Sequence, residues 1–306
     1  MTNSNRIAEE IKESFRQGST LTKLIYINIG VFLALKIIYL FYFLFVPFSG
    51  MGSKEALFYN KFLYYLMVPP DIETLIMRFW TPFTYMFLHF DFLHILFNML
   101  VLFWFGRIFL QYLTQKQLLT TYLVGGLSGA ALFIIFFNLL PGLPFGAPML
   151  GASAGVMAIV VAISFFAPNY EVYLPFIGQV KIKYIALFYI FLDILSIAGD
   201  NSGGHIAHLG GALYGYLFAI QMRRGKDVGR GFSAFFDGFA SMFKPRPKMK
   251  VTYKSQARSM TDHDYNKSKA ESQKEIDKIL DKIAKSGYES LTKKEKEILF
   301  KMGNKK

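Results

Sequence analysis

Gly151-Ala152-Ser153-Ala154-Gly155-Val156-Met157-Ala158-Ile159-Val160-Val161-Ala162-Ile163 is an apolar run with one hydroxyl near its start. A second run, Ala207-His208-Leu209-Gly210-Gly211-Ala212-Leu213-Tyr214-Gly215, carries one imidazole among small residues. Such runs belong in a bilayer, where polar side chains are expensive and usually functional. A serine and a histidine on separate spans point to a nucleophile and its base held together at membrane depth.

The composition around these runs is that of a multi-pass membrane protein. Of 306 residues, 53% are hydrophobic and 17% aromatic, with 33 Phe and 18 Tyr, too apolar for an ordinary soluble domain. Six stretches approach the roughly 20 helical residues needed to cross the hydrocarbon core. They run from Leu24 to Val46, Phe92 to Phe105, Gln117 to Leu140, Leu150 to Ala167, Tyr184 to Ala198 and His205 to Ile220. The second is short and is expected to continue back into the apolar segment Phe79 to Leu88. The first is too long for a removable signal peptide and lacks a small-residue cleavage site, so it reads as a retained span. The expected fold is all-α: a polytopic six-helix bundle, residues 23–222, after an N-terminal segment at 1–22.

Orientation follows from Lys and Arg, which are in excess in cytoplasmic loops. Arg6, Lys12, Arg16 and Lys23 precede the first span, Arg107 and Lys116 separate the second from the third, and Lys181 and Lys183 separate the fourth from the fifth. Arg223, Arg224, Lys226 and Arg230 follow the sixth. The Pro141 to Met149 loop has no charge, and the loop near Asp200 has only that acid. Both termini are therefore expected in the cytoplasm. The absence of cysteine excludes disulfides, thiol catalysis and thiolate metal sites.

Much of the net charge of +13 lies beyond the sixth span. It reads as a solvated tail beside anionic lipid, with no case for nucleic acid, because membrane proteins routinely carry cytoplasmic Lys and Arg. Residues 223–270 read as a basic linker that includes Lys244-Pro245-Arg246-Pro247-Lys248. Residues 271–306 read as a helical appendage. Ile276, Ile279, Leu280 and Ile283 recur at helical spacing, Gly287 is a stop, and Thr292 with Glu295 fits a capping box.

With the N-terminus inside, the second, fourth and sixth spans all start at the outer face. Ser153 and His208 each fall about one turn in, so their depths match. Gly211 and Gly215 follow on the face of His208 and form a small-residue seam for Ala154, Gly155 and Ala158. Acyl transfer also needs oxyanion donors, and His94 and Asn98, at i and i+4, lie at the same level. The Ser153 backbone N–H at a helix start is a third donor. Taken singly, each residue has a plainer reading: Ser153 bonded back to its own helix, and the histidines and Asn98 as interhelical glue. Metal binding by His89, His94, His205 and His208 is the chemical rival. Their spacing lacks a carboxylate apart from Asp91 and Asp200 near the interface, so no metal is expected. Lys36 and Asp193 are ionisable residues that snorkel or pair.

His89-Phe90-Asp91-Phe92-Leu93-His94-Ile95-Leu96-Phe97-Asn98, Gly151-Ala152-Ser153 and Ala207 to Gly215 together resemble the rhomboid family of intramembrane serine proteases, in the family's order, across about residues 20 to 222. The resemblance implies a six-span bundle of the bacterial type in the cell membrane. It also implies a Ser-His dyad without an acid, with Ser153 as nucleophile, His208 as base, and His94, Asn98 and the Ser153 N–H as oxyanion hole. His89 would brace the first external loop, and Gly151 belongs to the Gly-x-Ser motif. Transmembrane protein substrates and membrane lipid are the implied partners, with no cofactor. Ala154 stands where the family usually has glycine. Met157 replaces the aromatic that packs on the catalytic histidine, and with no acid the imidazole is expected to be held by such packing. The family's Trp-Arg pair in the first external loop has Trp80-Thr81 as its nearest counterpart. His205 sits one turn before His208, and the glycine seam favours His208 as the base. The aromatic-rich region Pro47 to Leu88 reads as an interfacial element beside the bundle. Phe97, Phe188, Tyr189 and Phe191 are candidates for a lateral gate. The alternatives are a noncatalytic relative that binds transmembrane segments, and a small transporter or channel. A chain truncated after Arg230 is expected to insert and to retain serine-dependent proteolysis; stable insertion with no activity would show that the tail is required.

Overall fold

The computed structural model describes residues 17–47, 54–89, 91–140, 147–199, 201–232, 234, 238 and 262–303. The chain divides into two compact units, Met1–Lys244 and Pro245–Lys306. Asp200, the proline-flanked basic stretch at 244–248 and most of the Pro141 to Met149 loop lie outside the described residues.

The first unit is a helical bundle. Its long helices are α1 (Thr20–Phe45), α5 (Phe92–Tyr112), α6 (Gln115–Leu139), α7 (Ser153–Phe166), α8 (Ile182–Ser196) and α9 (Ser202–Arg223). Between α1 and α5 lie three short helices, α2 (Lys54–Lys61), α3 (Ile72–Met77) and α4 (Thr81–Thr84). These six long helices match the six apolar stretches, with altered ends. The second span gains its length forward, to Tyr112, and not backward. Asp91 accepts from the His94 N–H and starts a new helix, so Phe79 to Leu88 belongs to separate short elements. α6 begins at a complete capping box of Thr114 and Gln117. Between α7 and α8 a hairpin of β1 (Glu171–Leu174) and β2 (Gly178–Lys181) pairs Glu171 with Lys181, a small addition to the expected all-α architecture.

α1, α5 and α6 are each long and apolar enough to cross a membrane on their own. α7 has only 14 residues, about 21 Å at 1.5 Å per residue. It can be short because it is the centre of the bundle, with every residue from Ala154 to Ser164 buried. Irregular backbone at membrane depth is tolerated where protein covers it, and that holds for the segment leading into α7. Met149 pairs with Val68 through two backbone hydrogen bonds of 3.0 and 2.9 Å, and the Gly151 N–H donates to the Tyr85 carbonyl.

Small residues bring α7 against both of its main neighbours. On α9, Gly211 lies against the Ala154 backbone and Gly215 against that of Ala158. On α6, Gly125 faces the Ala158 methyl and Gly129 the Ala154 methyl. Gly155 turns to α6 instead of α9: a methyl there would come 2.7 Å from the Tyr122 carbonyl. Buried polar groups fasten the rest. Tyr122 donates to the Met86 carbonyl at 2.8 Å and accepts from Asn28, and the Tyr85 hydroxyl donates to the Gly126 carbonyl at 2.6 Å.

In the second unit, α10 (Asp262–Ser286) and α11 (Lys293–Gly303) flank Gly287. α10 begins nine residues before the boundary expected from sequence at 271. Thr292 and Glu295 form the capping box, and Lys282 bonds Glu295 at 3.0 Å. Hydrogen bonding from the Thr292 backbone, then from Lys282, lowers the Glu295 pKa to about 2.

Gly125→Ala is expected to destabilise the bundle by roughly 1–3 kcal/mol, because the added methyl meets the Ala158 methyl. Adding Ala158→Gly should restore most of the thermal midpoint in detergent, since no other atom lies closer than 3.7 Å to the new methyl.

Candidate active site

Ser153 is the first residue of α7, not a turn inside it. The helix starts there because Gly151 adopts φ 133°, a conformation that L side chains rarely take, and so turns the chain into the helix. The Ser153 N–H consequently belongs to the first helical turn, whose donors have no partner within the helix. A methyl on Gly151 would lie 3.1 Å from His94 Nε2 and 3.4 Å from Ser153 Oγ. The absent side chain thus marks the point at which the serine and the first expected oxyanion donor converge.

His94 sits in the first turn of α5, fixed by the Asp91 cap. Asn98, one turn later, donates one amide hydrogen to the His94 carbonyl at 2.9 Å. An amide NH2 has two hydrogens, so one remains for a ligand. His208 lies six residues after the start of α9, deeper than the single turn expected, because α9 begins at Ser202. Ser153, His208, His94 and Asn98 line a single cavity of about 620 Å³, bounded above by Tyr64 and Met67 of the first external region. A second cavity, of about 480 Å³, also reaches Ser153, Asn98 and His208 and is bordered by Phe97 of α5 and Tyr189 and Leu192 of α8. Ser153, Asn98 and His208 thus border both cavities, the second of which is lateral, toward α8, and His94 borders the first.

The supporting residues divide. Gly211 and Gly215 seat α9 on α7, as described. The Ala154 methyl, unusual after such a serine, is received by Gly129 of α6. Met157 is buried and lines the lateral cavity beside His208. His89 is buried with its ring edge-on to His94 at 5.1 Å and does not line the cavity of Ser153. Phe97 and Tyr189 border the lateral cavity, whereas Phe188 and Phe191 are exposed on the outer face of α8 and take no part in its wall.

One expectation is corrected. The imidazole of His208 has an acid. Asp193, buried on α8, accepts from His208 Nδ1 and from His205 Nδ1 through the same oxygen, each at 2.8 Å. The sequence reading placed Asp193 as a residue that snorkels or pairs and missed this partner, because fifteen residues and a helix junction separate it from His208. Between α1 and α5, Arg78 and Trp80 both contact the Tyr64-Tyr65 segment. The Arg78 guanidinium lies over the rings of Tyr64 and Tyr65, at 4.3 and 4.4 Å, and the Trp80 indole donates to the Tyr65 carbonyl at 2.9 Å.

Asp193, His205 and His208 also form a group whose possible ligand atoms lie within 4.8 Å of one another. It is the same group as the hydrogen-bonded set just described, in which both imidazoles meet one carboxylate oxygen at 2.8 Å. The arrangement places a serine hydroxyl, an imidazole with an acceptor behind it, and further hydrogen-bond donors on one cavity, the kinds of group that acyl transfer uses.

This fold and this cluster define a polytopic membrane protein with a serine-histidine centre. A profile of the rhomboid domain matches residues 77–225, just under half of the chain, which over that stretch is similar to rhomboid proteins. It is 32% identical over 161 residues to RHOMBOID-like protein 12, mitochondrial, of Arabidopsis thaliana, a match that covers 49% of this chain and 48% of that protein. It is 32% identical over 136 residues to presenilin-associated rhomboid-like protein A, mitochondrial, of Danio rerio, covering 43% of this chain and 34% of that one. The chain thus matches about half of the first relative and a third of the second. Residues 260–304 match a family of unknown function, DUF6576.

Gly151→Ala is expected to slow fluorophosphonate labelling of Ser153 by about tenfold or more, since it strains the turn and displaces an oxyanion donor. Labelling at the parental rate would separate the turn from the reactivity of the serine.

Proposed function

We propose that this protein is an intramembrane serine endopeptidase that cleaves transmembrane substrates through Ser153 and His208. The observation that carries the proposal is the convergence of Ser153, His208, His94 and Asn98, drawn from three helices, on one cavity. His208 Nε2, the nitrogen left by the bond at Nδ1, takes the Ser153 proton as Oγ attacks the scissile carbonyl. The oxyanion is held by the Ser153 N–H, the second amide hydrogen of Asn98 and His94. His208 then returns its proton to the leaving amine, and a water repeats the sequence on the acyl-enzyme. Loss of one donor of this kind typically costs about 10²–10³ in kcat.

The two cavities supply the reactants from different sides. The outward one gives water a path, and the lateral one, walled by Phe97, Tyr189 and Leu192, suits a substrate helix arriving from lipid. A helix hides its carbonyls in its own hydrogen bonds, so the favoured substrates are transmembrane segments that unwind at Gly, Ala, Ser or Pro. The proposal keeps both termini in the cytoplasm, on the Lys and Arg of the inner loops, and puts the site near the outer face of a bacterial cell membrane. A mitochondrial membrane is the alternative that the relatives' names raise.

A fluorophosphonate probe applied to the purified chain is expected to label Ser153 in the parent, not to label Ser153→Ala, and to label His208→Ala only at background. His205→Ala should retain most of the labelling. Labelling that survives Ser153→Ala would sink the assignment.

A further inference from the structure

We infer that Asp193 is a positioning residue for this reaction, fixing the tautomer and orientation of His208 from the helix that borders the lateral cavity. The inference rests on the assignment of His208 as base. A base that uses Nε2 must carry its neutral-state proton on Nδ1 and be kept from rotating. An acceptor 2.8 Å from His208 Nδ1 does both. The same oxygen accepts from His205 Nδ1 at 2.8 Å, so the carboxylate is itself held from a second direction. Its other oxygen is buried with no hydrogen-bond partner among the described residues, which leaves the two imidazoles as the side-chain partners of that acid.

A carboxylate at this depth is a poor choice for helix adhesion alone. Burying it costs several kcal/mol, a cost that hydrogen bonds to two imidazoles offset only in part, and an apolar pair of similar size would join α8 to α9 at least as well. The rest of the described α8 surface supports that view: Leu187, Phe188, Phe191, Ile194 and Leu195 are exposed apolar side chains, as lipid requires, and Asp193 is turned inward. The groups facing His208 are Asp193 from α8, His205 from its own helix and His94 from α5, and of these Asp193 is the one acid. Met157 lines the same lateral cavity as His208. The sharing of one oxygen gives His205 a subordinate part, steadying the acceptor without touching the reacting atoms.

The test uses the full chain in detergent, with the fluorophosphonate as probe, comparing the parent with Asp193→Asn, Asp193→Ala, Asp193→Glu and Ser153→Ala. Asp193→Asn keeps the shape but offers an amide, and it is expected to lower the maximal labelling rate by about tenfold or more, with half-saturation unchanged within about twofold. Asp193→Glu should recover part of the loss. Histidine ¹⁵N spectra should show His208 protonated on Nδ1 in the parent and redistributed in Asp193→Asn, a change that a merely structural role would not produce. If Asp193→Ala fails to fold, Asp193→Asn and its spectrum still decide. Parental labelling rates and an unaltered His208 signal in Asp193→Asn would overturn the inference while leaving the protease assignment intact. Absence of Ser153 labelling in the parent would instead overturn the assignment. Labelling abolished by a chelator and restored by zinc would reassign Asp193, His205 and His208 to a metal site and overturn the inference.

Discussion

The backbone of α9 lies directly on that of α7 at Gly211 and Gly215, and the site depends on this approach. In lipid there is no hydrophobic force between helices, so association rests on packing and hydrogen bonds. A side chain at either glycine would push α9 outward and carry His208 away from Ser153. The same contact is completed on the other side by Gly125 and Gly129 of α6, which receive the methyls of Ala158 and Ala154. α7 is gripped between two smooth faces, and its first residue is the serine.

The backbone just before that serine is the second constraint. Met149, Leu150 and Gly151 run without helical hydrogen bonds, and the segment between α1 and α5 satisfies both backbone groups of Met149 and the Gly151 N–H. Val68 pairs with Met149 and Tyr85 accepts from Gly151, while Arg78 and Trp80 pin the turn beneath. The region between α1 and α5 therefore supports the backbone that leads to Ser153. Tyr122 and Asn28 extend that support into α6 and α1.

Departures from the family pattern find local compensation. Ala154 in place of glycine is matched by the missing side chain at Gly129. Met157 in place of an aromatic gives the imidazole a weaker wall, and Asp193 adds a hydrogen bond to the same ring. Both compensations come from residues far along the chain, Gly129 on α6 and Asp193 on α8.

The sequence by itself determined the six apolar helices, the family resemblance, the closeness of Ser153 and His208, which line one cavity, and the glycine face of the sixth span. These are written in hydropathy, in i and i+4 spacing and in short motifs, all of which are local. The start of α5 at Phe92 was also legible, through the Asp91 cap, but it was overridden by the expectation that a short span must borrow length from Phe79 to Leu88. Only the tertiary structure decided the acid behind His208, the turn of Gly155 toward α6, the entry of Arg78 into the loop and the absence of Phe188 and Phe191 from the cavity wall. Each of these depends on which way a helix is rotated about its axis and on what stands opposite, and an almost uniformly apolar helix has too little amphipathic asymmetry to record that rotation.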